Sequence, residues 1–176
     1  MRTMIDTSHW QDNKTGDPPH LAVAVDHAVD AFLFRCGRGN GTVSKYDLDP
    51  SYRMFAAQAV ELGVPWGAYW WPEPGESTPA EQAAQFVTRA HAAPGAPAFL
   101  DVDIEGHRAT MTPLEQATWQ RTFIDELRHD VDYDLPVVIY TADWYWDRNI
   151  APAGIDFSIS RTQYDAPWPR ILSLNV

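Results

Sequence analysis

The sequence predicts an α/β protein, an irregular TIM-like (β/α) barrel of about five strand–helix units followed by short strands. Short apolar runs alternate with helix-length segments, and this order is typical of parallel strands joined by right-handed crossovers. Polar and acidic residues gather where several runs end, which is where parallel α/β barrels carry their sites. The same order also allows an open doubly wound sheet, but no glycine-rich phosphate loop follows the first run. The segment 37–41, after the second run, lacks the fingerprint spacing and is predicted to be a flexible turn.

Capping signals mark the starts of the predicted helices. Thr78 and Thr112 are each followed by proline and then, three residues after the threonine, by glutamate, which is the capping-box pattern. Asp49 and Pro50 open another helix, and Gly63 closes it. The predicted helices cover residues 21–29, 51–62, 79–93 and 113–129.

Compact apolar runs between these helices are the predicted strands. The first is short and ends at Asp6, and the helical pattern fades after Thr141, so that short strands are expected there. Trp66 and Trp119 are expected to pack in the core. The predicted strands lie near residues 4–6, 31–35, 64–71, 98–103 and 136–141.

Length and composition fit one domain, which covers residues 1–176. The net charge of −11 argues against nucleic acid and anionic membrane surfaces as partners, since both attract basic proteins, whereas a neutral glycan is compatible. No apolar run reaches about 18 residues and no charged-then-apolar leader precedes the first strand, so we expect neither a membrane span nor a signal peptide. The single cysteine, Cys36, excludes an internal disulfide framework and is expected to be a small packing residue.

The segment Phe99–Glu105 carries three acids at alternate positions. In a strand, Asp101, Asp103 and Glu105 would share one face, with apolar residues on the other. Like charges so close raise one another's pKa, an arrangement expected where a carboxylic acid must keep its proton near neutral pH. A solvated edge strand and a calcium or magnesium site are the alternatives, although the spacing is too short for a helix–loop–helix calcium loop. We favour catalysis and predict no metal and no cofactor.

Aromatic residues are frequent, with eight tryptophans and seven tyrosines. An aromatic ring buries apolar area while a polar tip stays in water, which suits the C–H faces of sugar rings. Core packing is the alternative for each ring. The aromatic residues that follow predicted strands are Trp10, Tyr69, Trp70, Trp71, Tyr140, Trp144, Tyr145 and Trp146.

The segments Ile5–Gln11 and Phe99–Asp103 together resemble the glycoside hydrolase family 25 lysozymes, the Chalaropsis-type muramidases. Members of that family open with Asp-x-Ser, often followed by a Trp-Gln-like pair, and carry Asp-x-Glu at the end of a middle strand. Weaker similarities follow in the same order at residues 32–35, 67–71 and 137–141. The resemblance covers about residues 2–160 and implies an irregular (β/α) barrel.

The resemblance leaves two registers open for the acids. Aligning Leu100-Asp101 with the family's Leu-Asp places Asp103 where the family has its catalytic glutamate, and a shift of two residues gives a literal Asp103-Ile104-Glu105. Aspartate is shorter than glutamate by one methylene, and a misplacement of about 1 Å can cost about 100-fold in rate. The catalytic residues are therefore predicted to be Asp6, Asp101, Asp103 and Glu105.

The remaining predicted site residues bind substrate. His9 is expected to have a structural role, because it alternates to the side opposite Ser8. The chain ends at Trp168–Val176 without the family's usual Trp-Gln-Tyr segment, so the last strand of the barrel is expected to be missing, rearranged or supplied by something else. The predicted substrate-binding residues are Ser8, Trp10, Arg35, Tyr69, Trp71 and Tyr140.

The activity implied by the resemblance is hydrolysis of the β-1,4 bond between N-acetylmuramic acid and N-acetylglucosamine in bacterial peptidoglycan. Asp103 or Glu105 would protonate the leaving oxygen, while Asp6 and Asp101, ionised, would stabilise the positive centre or orient the substrate's acetamido group. The alternatives are a catalytically weakened barrel that still binds cell-wall glycan and an unrelated α/β barrel whose acids bind a metal. Without a signal peptide, a cell-wall enzyme is expected to be a phage endolysin released from the host cytoplasm, or part of a virion.

Overall fold

The computed structural model is an α/β fold and describes residues 3–9, 20–26, 28–41, 48–104, 110–129, 135–141, 143–155 and 170–173. Its strands are β1 (Thr3–Thr7), β2 (Ala31–Arg38), β3 (Trp66–Trp71), β4 (Leu100–Asp103), β5 (Val137–Tyr140) and β6 (Arg170–Ser173). Its helices are α1 (Leu21–Val25), α2 (Tyr52–Leu62), α3 (Pro79–His91), α4 (Pro113–His129) and α5 (Asp143–Tyr145). A π-helical turn at Trp146–Ile150 and a 3-10 turn at Ala151–Ala153 continue α5.

The strands form one parallel sheet in the order β5-β4-β3-β2-β1-β6. Strands β1 to β5 lie side by side in chain order, as expected for successive strand–helix units. Strand β6 lies on the free side of β1, so the C-terminal segment does supply a strand to the sheet. Within the described ranges, no pairing of β5 with β6 closes the sheet into a ring.

The two faces of the sheet pack differently. Leu100, Val102 and Ile104 are buried in the large core beneath the helices, which also takes up Ile5 from β1. The opposite face, called the inner face below, holds a small separate cluster. That cluster consists of Met4, Leu33 and Phe99, with Ala31, Tyr69 and Val138 packed against it. The predicted alternation along β4 is therefore confirmed, with both aspartates on the side opposite Leu100 and Val102.

The predicted capping boxes are confirmed at α3 and α4. The Thr78 amide donates to Glu81 Oε2 at 2.9 Å, and the Glu81 amide donates to Thr78 Oγ1 at 3.2 Å. Thr112 and Glu115 make the same pair of bonds at 2.8 and 3.3 Å. Gly63 ends α2 in the left-handed region, at φ +65°. None of the helices given above has the length and the apolar composition that crossing a membrane requires.

The structure corrects two predicted segments. Helix α1 ends at Val25 and not at residue 29, because only Leu21 of this helix is buried and Ala28 has a positive φ of 61° that no helix accommodates. The short strands expected directly after Thr141 are wrong for residues 143–153, which are helical. Here Tyr145 and Ile150 both enter the core, and their spacing of five residues fits the π-helical turn.

The segment 37–41 is also held more firmly than a flexible turn. Strand β2 continues through Arg38, and the Gly39 amide donates to the Trp71 carbonyl at 2.9 Å. The Asn40 amide donates to Glu76 Oε2 at 3.1 Å. These hydrogen bonds connect the end of β2 to the end of β3 and to the loop that follows it. They stabilise the C-terminal end of the sheet, where the acids lie.

Gly67 makes room for the inner cluster. A methyl group at this position would overlap the ring of Phe99, which is 3% exposed and has no space to move into. We expect Gly67→Ala to lower the free energy of unfolding by about 1–3 kcal/mol, because overpacking a close-packed interior forces strain. Urea denaturation would measure this change.

The double variant Gly67→Ala/Phe99→Leu tests the cause. If the overlap is responsible, the loss in the double variant is smaller than the sum of the two single losses, since the smaller side chain relieves the clash. Additive losses would contradict this explanation.

Candidate active site

Most of the predicted site residues lie on the inner face, near the C-terminal ends of the strands. In the sheet register Arg35 of β2 pairs with Tyr69 of β3, and Tyr69 pairs with Asp101 of β4. Asp103 pairs with Tyr140 of β5. Asp6 has the same parity as Met4 on β1 and so shares the inner face. Since neighbouring strands lie about 4.8 Å apart, Arg35, Tyr69 and Asp101 form one row across three strands. On the same face, Asp6 lies two residues before this row and the pair Asp103–Tyr140 lies two residues after it.

The aspartates of β4 are deeply buried. Asp101 is 2% exposed and Asp103 is 7% exposed. Burial raises the pKa of Asp101 well above its ordinary value, and the negative charges of Asp103 and Asp6 raise it further, against a smaller lowering by the backbone amide of Val102. Burial also raises the pKa of Asp6. The cluster of Asp6, Asp101 and Asp103, called the acid cluster below, therefore favours the protonated form of its members Asp6 and Asp101.

Tyr69 lies at the centre of the row. Burial raises the pKa of its phenol, and the nearby charges of Asp6 and Asp103 raise it further, while the guanidinium of Arg35 lowers it. The hydroxyl consequently stays protonated at neutral pH. It can act as a hydrogen-bond donor towards an acceptor in the site.

A buried ionic network beside Tyr69 was not predicted. Asp49, 1% exposed, accepts hydrogen bonds from the backbone amides of His9 (2.9 Å) and Ser51 (3.0 Å). Its Oδ2 lies 3.2 Å from Arg35 Nε and 3.0 Å from His9 Nδ1, and Arg35 Nη2 lies 2.8 Å from the same ring nitrogen. The structural role expected for His9 agrees with this network, which ties the end of β1 to β2 and to the start of α2.

One signal in the sequence could have indicated this network. Arg35 occupies the inner face of a buried strand, and a buried guanidinium requires an acidic partner. Asp49 was recognised only as the residue that opens α2, because a residue of this type before a helix is usually explained by capping. Its pairing with Arg35 spans 14 positions of the chain and depends on the tertiary fold.

The other predicted site residues lie around the acid cluster or outside the described ranges. Ser8 is buried after the end of β1, and Trp71 is partly buried at the end of β3. Tyr140 is 41% exposed at the end of β5. Trp10 and Glu105 lie outside the residues that the structure describes, so the choice between Asp103 and Glu105 stays a prediction. Within those residues, no group of three or more histidine, cysteine or acidic side chains is arranged to hold a metal ion.

Solved structures with the same fold include enzymes from fungi, bacteria and a bacteriophage. A muramidase from Acremonium alcalophilum is 19% identical, with a TM-score of 0.69 over 86% of this chain and 70% of that chain. The catalytic domain of endolysin ply40 from bacteriophage P40 of Listeria monocytogenes is 18% identical, with a TM-score of 0.63 over 86% and 69%. The bacterial lysozyme from Streptomyces coelicolor is 20% identical, with a TM-score of 0.63 over 88% and 68%. At these identities the likeness shows a shared fold alone.

The sequence itself matches a family. None of the curated proteins compared with this chain matches it. The family model of the glycosyl hydrolases of family 25, however, matches residues 5–159, which begin within β1, continue past β5 and include the whole acid cluster. The resemblance found in the sequence is thereby confirmed: the chain belongs to glycosyl hydrolase family 25 and is a glycoside hydrolase.

Proposed function

We propose that this protein is a lysozyme-type N-acetylmuramidase, which hydrolyses the β-1,4 bond between N-acetylmuramic acid and N-acetylglucosamine in bacterial peptidoglycan. The observation that carries the proposal is the acid cluster on the inner face of the sheet, with Asp101 and Asp103 buried and Asp6 partly buried, in a chain of this family. Structures of the same fold that are named as muramidases, lysozymes and endolysins support the same substrate.

Cleavage of a glycosidic bond needs one group that protonates the leaving oxygen and a second that stabilises or attacks the positive centre. We assign the first task to Asp103, or to Glu105 in the alternative register. Asp103 ends β4 and is the more exposed of the two aspartates on that strand. Asp6 and Asp101 take the second task, either by stabilising the positive charge directly or by orienting the substrate's acetamido group.

The burial of Asp101 changes one detail of this assignment. We expected Asp101 to be ionised, but desolvation and the charges of Asp103 and Asp6 favour its protonated form in the free protein. A positive charge that develops on the sugar ring would lower this pKa again, since an opposite charge favours the carboxylate. In the proposed mechanism Asp101 therefore passes its proton to Asp103 as Asp103 protonates the leaving oxygen, and the Asp101 carboxylate then interacts more strongly with the positive centre than with bound substrate.

The aromatic and polar residues around the acid cluster are proposed to bind the glycan. Tyr69 presents a protonated hydroxyl beside the acids, and the buried network holds Arg35 in place at its side. In an irregular TIM-like barrel, these residues would surround the bound glycan chain. The proposed substrate-binding residues are Ser8, Trp10, Arg35, Tyr69, Trp71 and Tyr140.

The biological setting is proposed by similarity to phage endolysins of the same fold. Such an enzyme accumulates in the host cytoplasm and is then released to the cell wall, or is carried by the virion. A catalytically weakened glycan-binding barrel is the second candidate. It is favoured by the aspartate at position 103, where the first register has the family's catalytic glutamate.

Variants at positions 103 and 105 test the assignment of the acid. If Asp103 is the proton donor, Asp103→Asn abolishes the clearing of bacterial cell-wall suspensions, and Glu105→Gln retains most of it. Asp103→Glu then restores the missing methylene, and we expect it to raise the rate by about 10- to 100-fold. A turbidity assay on purified walls measures all three.

The exposed Asp147 supplies a matched control, since Asp147→Asn removes the same charge away from the acid cluster and is expected to leave clearing unchanged. Loss of clearing in Glu105→Gln alone would assign the acid to Glu105. No clearing by the parent or by Asp103→Glu, together with sedimentation of the protein on peptidoglycan, would reject the enzyme proposal in favour of the glycan-binding barrel.

The raised pKa of Asp101 predicts a pH dependence of stability. The native state holds this proton at pH values where the unfolded chain has released it, so the free energy of unfolding falls as the pH rises from 3.8 through the raised value. Asp101→Asn removes the buried charge. We expect the variant to be more stable than the parent at neutral pH by about 1–3 kcal/mol, and this gain to shrink towards about pH 4.

Urea denaturation at several pH values measures this difference. Asp147→Asn is again the control, because it makes the same substitution at an exposed position. Parallel stability curves for the parent and Asp101→Asn would show that Asp101 carries no raised pKa.

A further inference from the structure

Two exposed aromatic side chains lie at the C-terminal end of β5 and just after it. Of the large hydrophobic residues in the described ranges, Tyr140 is 41% exposed and Trp144 is 57% exposed. The other exposed ones are aliphatic and scattered over three helices: Val23, Val60 and Leu114. Isolated aliphatic residues on a surface are ordinary, whereas two exposed aromatics only four residues apart at the end of a strand that carries the site point to a binding surface.

The fold places this pair beside the acid cluster. Tyr140 is the register partner of Asp103, and Trp144 follows four residues later, just after the C-terminal end of β5. Four residues of fully extended chain span at most about 14 Å, so the backbone of Trp144 lies within that distance of Tyr140, which is itself paired with Asp103. Both residues are thus close to the proposed catalytic groups.

The ring of Trp144 packs against a neighbour that is held in the core. It packs edge to face on Tyr145, with 5.8 Å between ring centroids and 84° between the planes. Tyr145 is 1% exposed, its hydroxyl accepts a hydrogen bond from the buried Gln116, and its carbonyl accepts one from Asn149. Trp144 therefore remains exposed although its neighbour is anchored in the core, and little conformational entropy is lost when a ligand covers it.

We propose that Trp144 and Tyr140 form a sugar-stacking subsite, which takes a neutral pyranose ring of the glycan strand next to the bond that is cut. The inference rests on the proposed function and adds a residue, Trp144, to it. An aromatic face suits the C–H face of a sugar ring and needs no charge. The net charge of −11 and the adjacent acids disfavour an anionic occupant.

Binding can be measured without cleavage in the Asp103→Asn background, by sedimentation with purified peptidoglycan. In this background Trp144→Ala is expected to raise the Kd by about 5- to 20-fold, because a stacked aromatic is worth about one to two kcal/mol. Trp144→Phe keeps an aromatic face and should recover part of the affinity. In the parent background, Trp144→Ala should raise KM for cell walls with little change in kcat.

Leu114→Ala is the matched control, since Leu114 is also 57% exposed but lies at the start of α4. Soluble oligomers of N-acetylglucosamine should displace the Asp103→Asn protein from peptidoglycan and should act more weakly on its Trp144→Ala derivative. Thermal unfolding of each variant verifies that the fold is retained, and Trp144→Phe provides the test if Trp144→Ala is unstable.

The outcomes separate the subsite from the function on which it rests. If the parent clears and binds cell walls while Trp144→Ala and Trp144→Phe behave like Leu114→Ala, the subsite is overturned and the muramidase proposal stands. If the parent neither clears nor binds peptidoglycan, both proposals fail. An equal loss of affinity in Trp144→Ala and Leu114→Ala would also overturn the subsite, since it would point to general surface hydrophobicity.

Discussion

The site depends on one constraint, the strict alternation of side chains along the parallel strands. Because Leu100 and Val102 must enter the core beneath the helices, Asp101 and Asp103 are forced onto the inner face. The same alternation on the neighbouring strand places Tyr69 beside them. Burying acids is costly, and the raised pKa of Asp101 is the direct sign of this cost. The buried acids thus lower the free energy of unfolding, and in return a carboxylic acid keeps its proton inside the site.

A second buried charge is compensated differently. Arg35 lies on the same face, but Asp49 supplies the opposite charge and also accepts backbone hydrogen bonds from His9 and Ser51. This network pairs opposite charges and joins three elements, whereas the Oδ1 atom of Asp101 has no hydrogen bond in the described structure. The network of Arg35 and Asp49 therefore holds the strands in place, whereas the acid cluster lowers the stability of the fold but keeps a proton in the site.

Much of the fold could be predicted because its signals are local. The capping boxes at Thr78 and Thr112 need only four consecutive residues, and the starts of α3 and α4 were predicted correctly from them. The alternation in β4 needs only five residues and correctly assigned both aspartates to one face. Local patterns failed where a contact with a distant part of the chain determines the secondary structure. The segment from α5 to the turns after it is helical because Tyr145 and Ile150 pack into the core against α4.

Short-range patterns in the sequence were enough to predict the alternation of strands and helices as far as β5, the family, and the residue types that face the inner side of the sheet. Which of these residues are neighbours depends on the tertiary fold. The row from Arg35 through Tyr69 to Asp101 exists because parallel pairing sets one register across three strands. The pairing of Arg35 with Asp49 likewise exists only once β2 and the start of α2 are packed together, because the two charges meet through space and not along the chain.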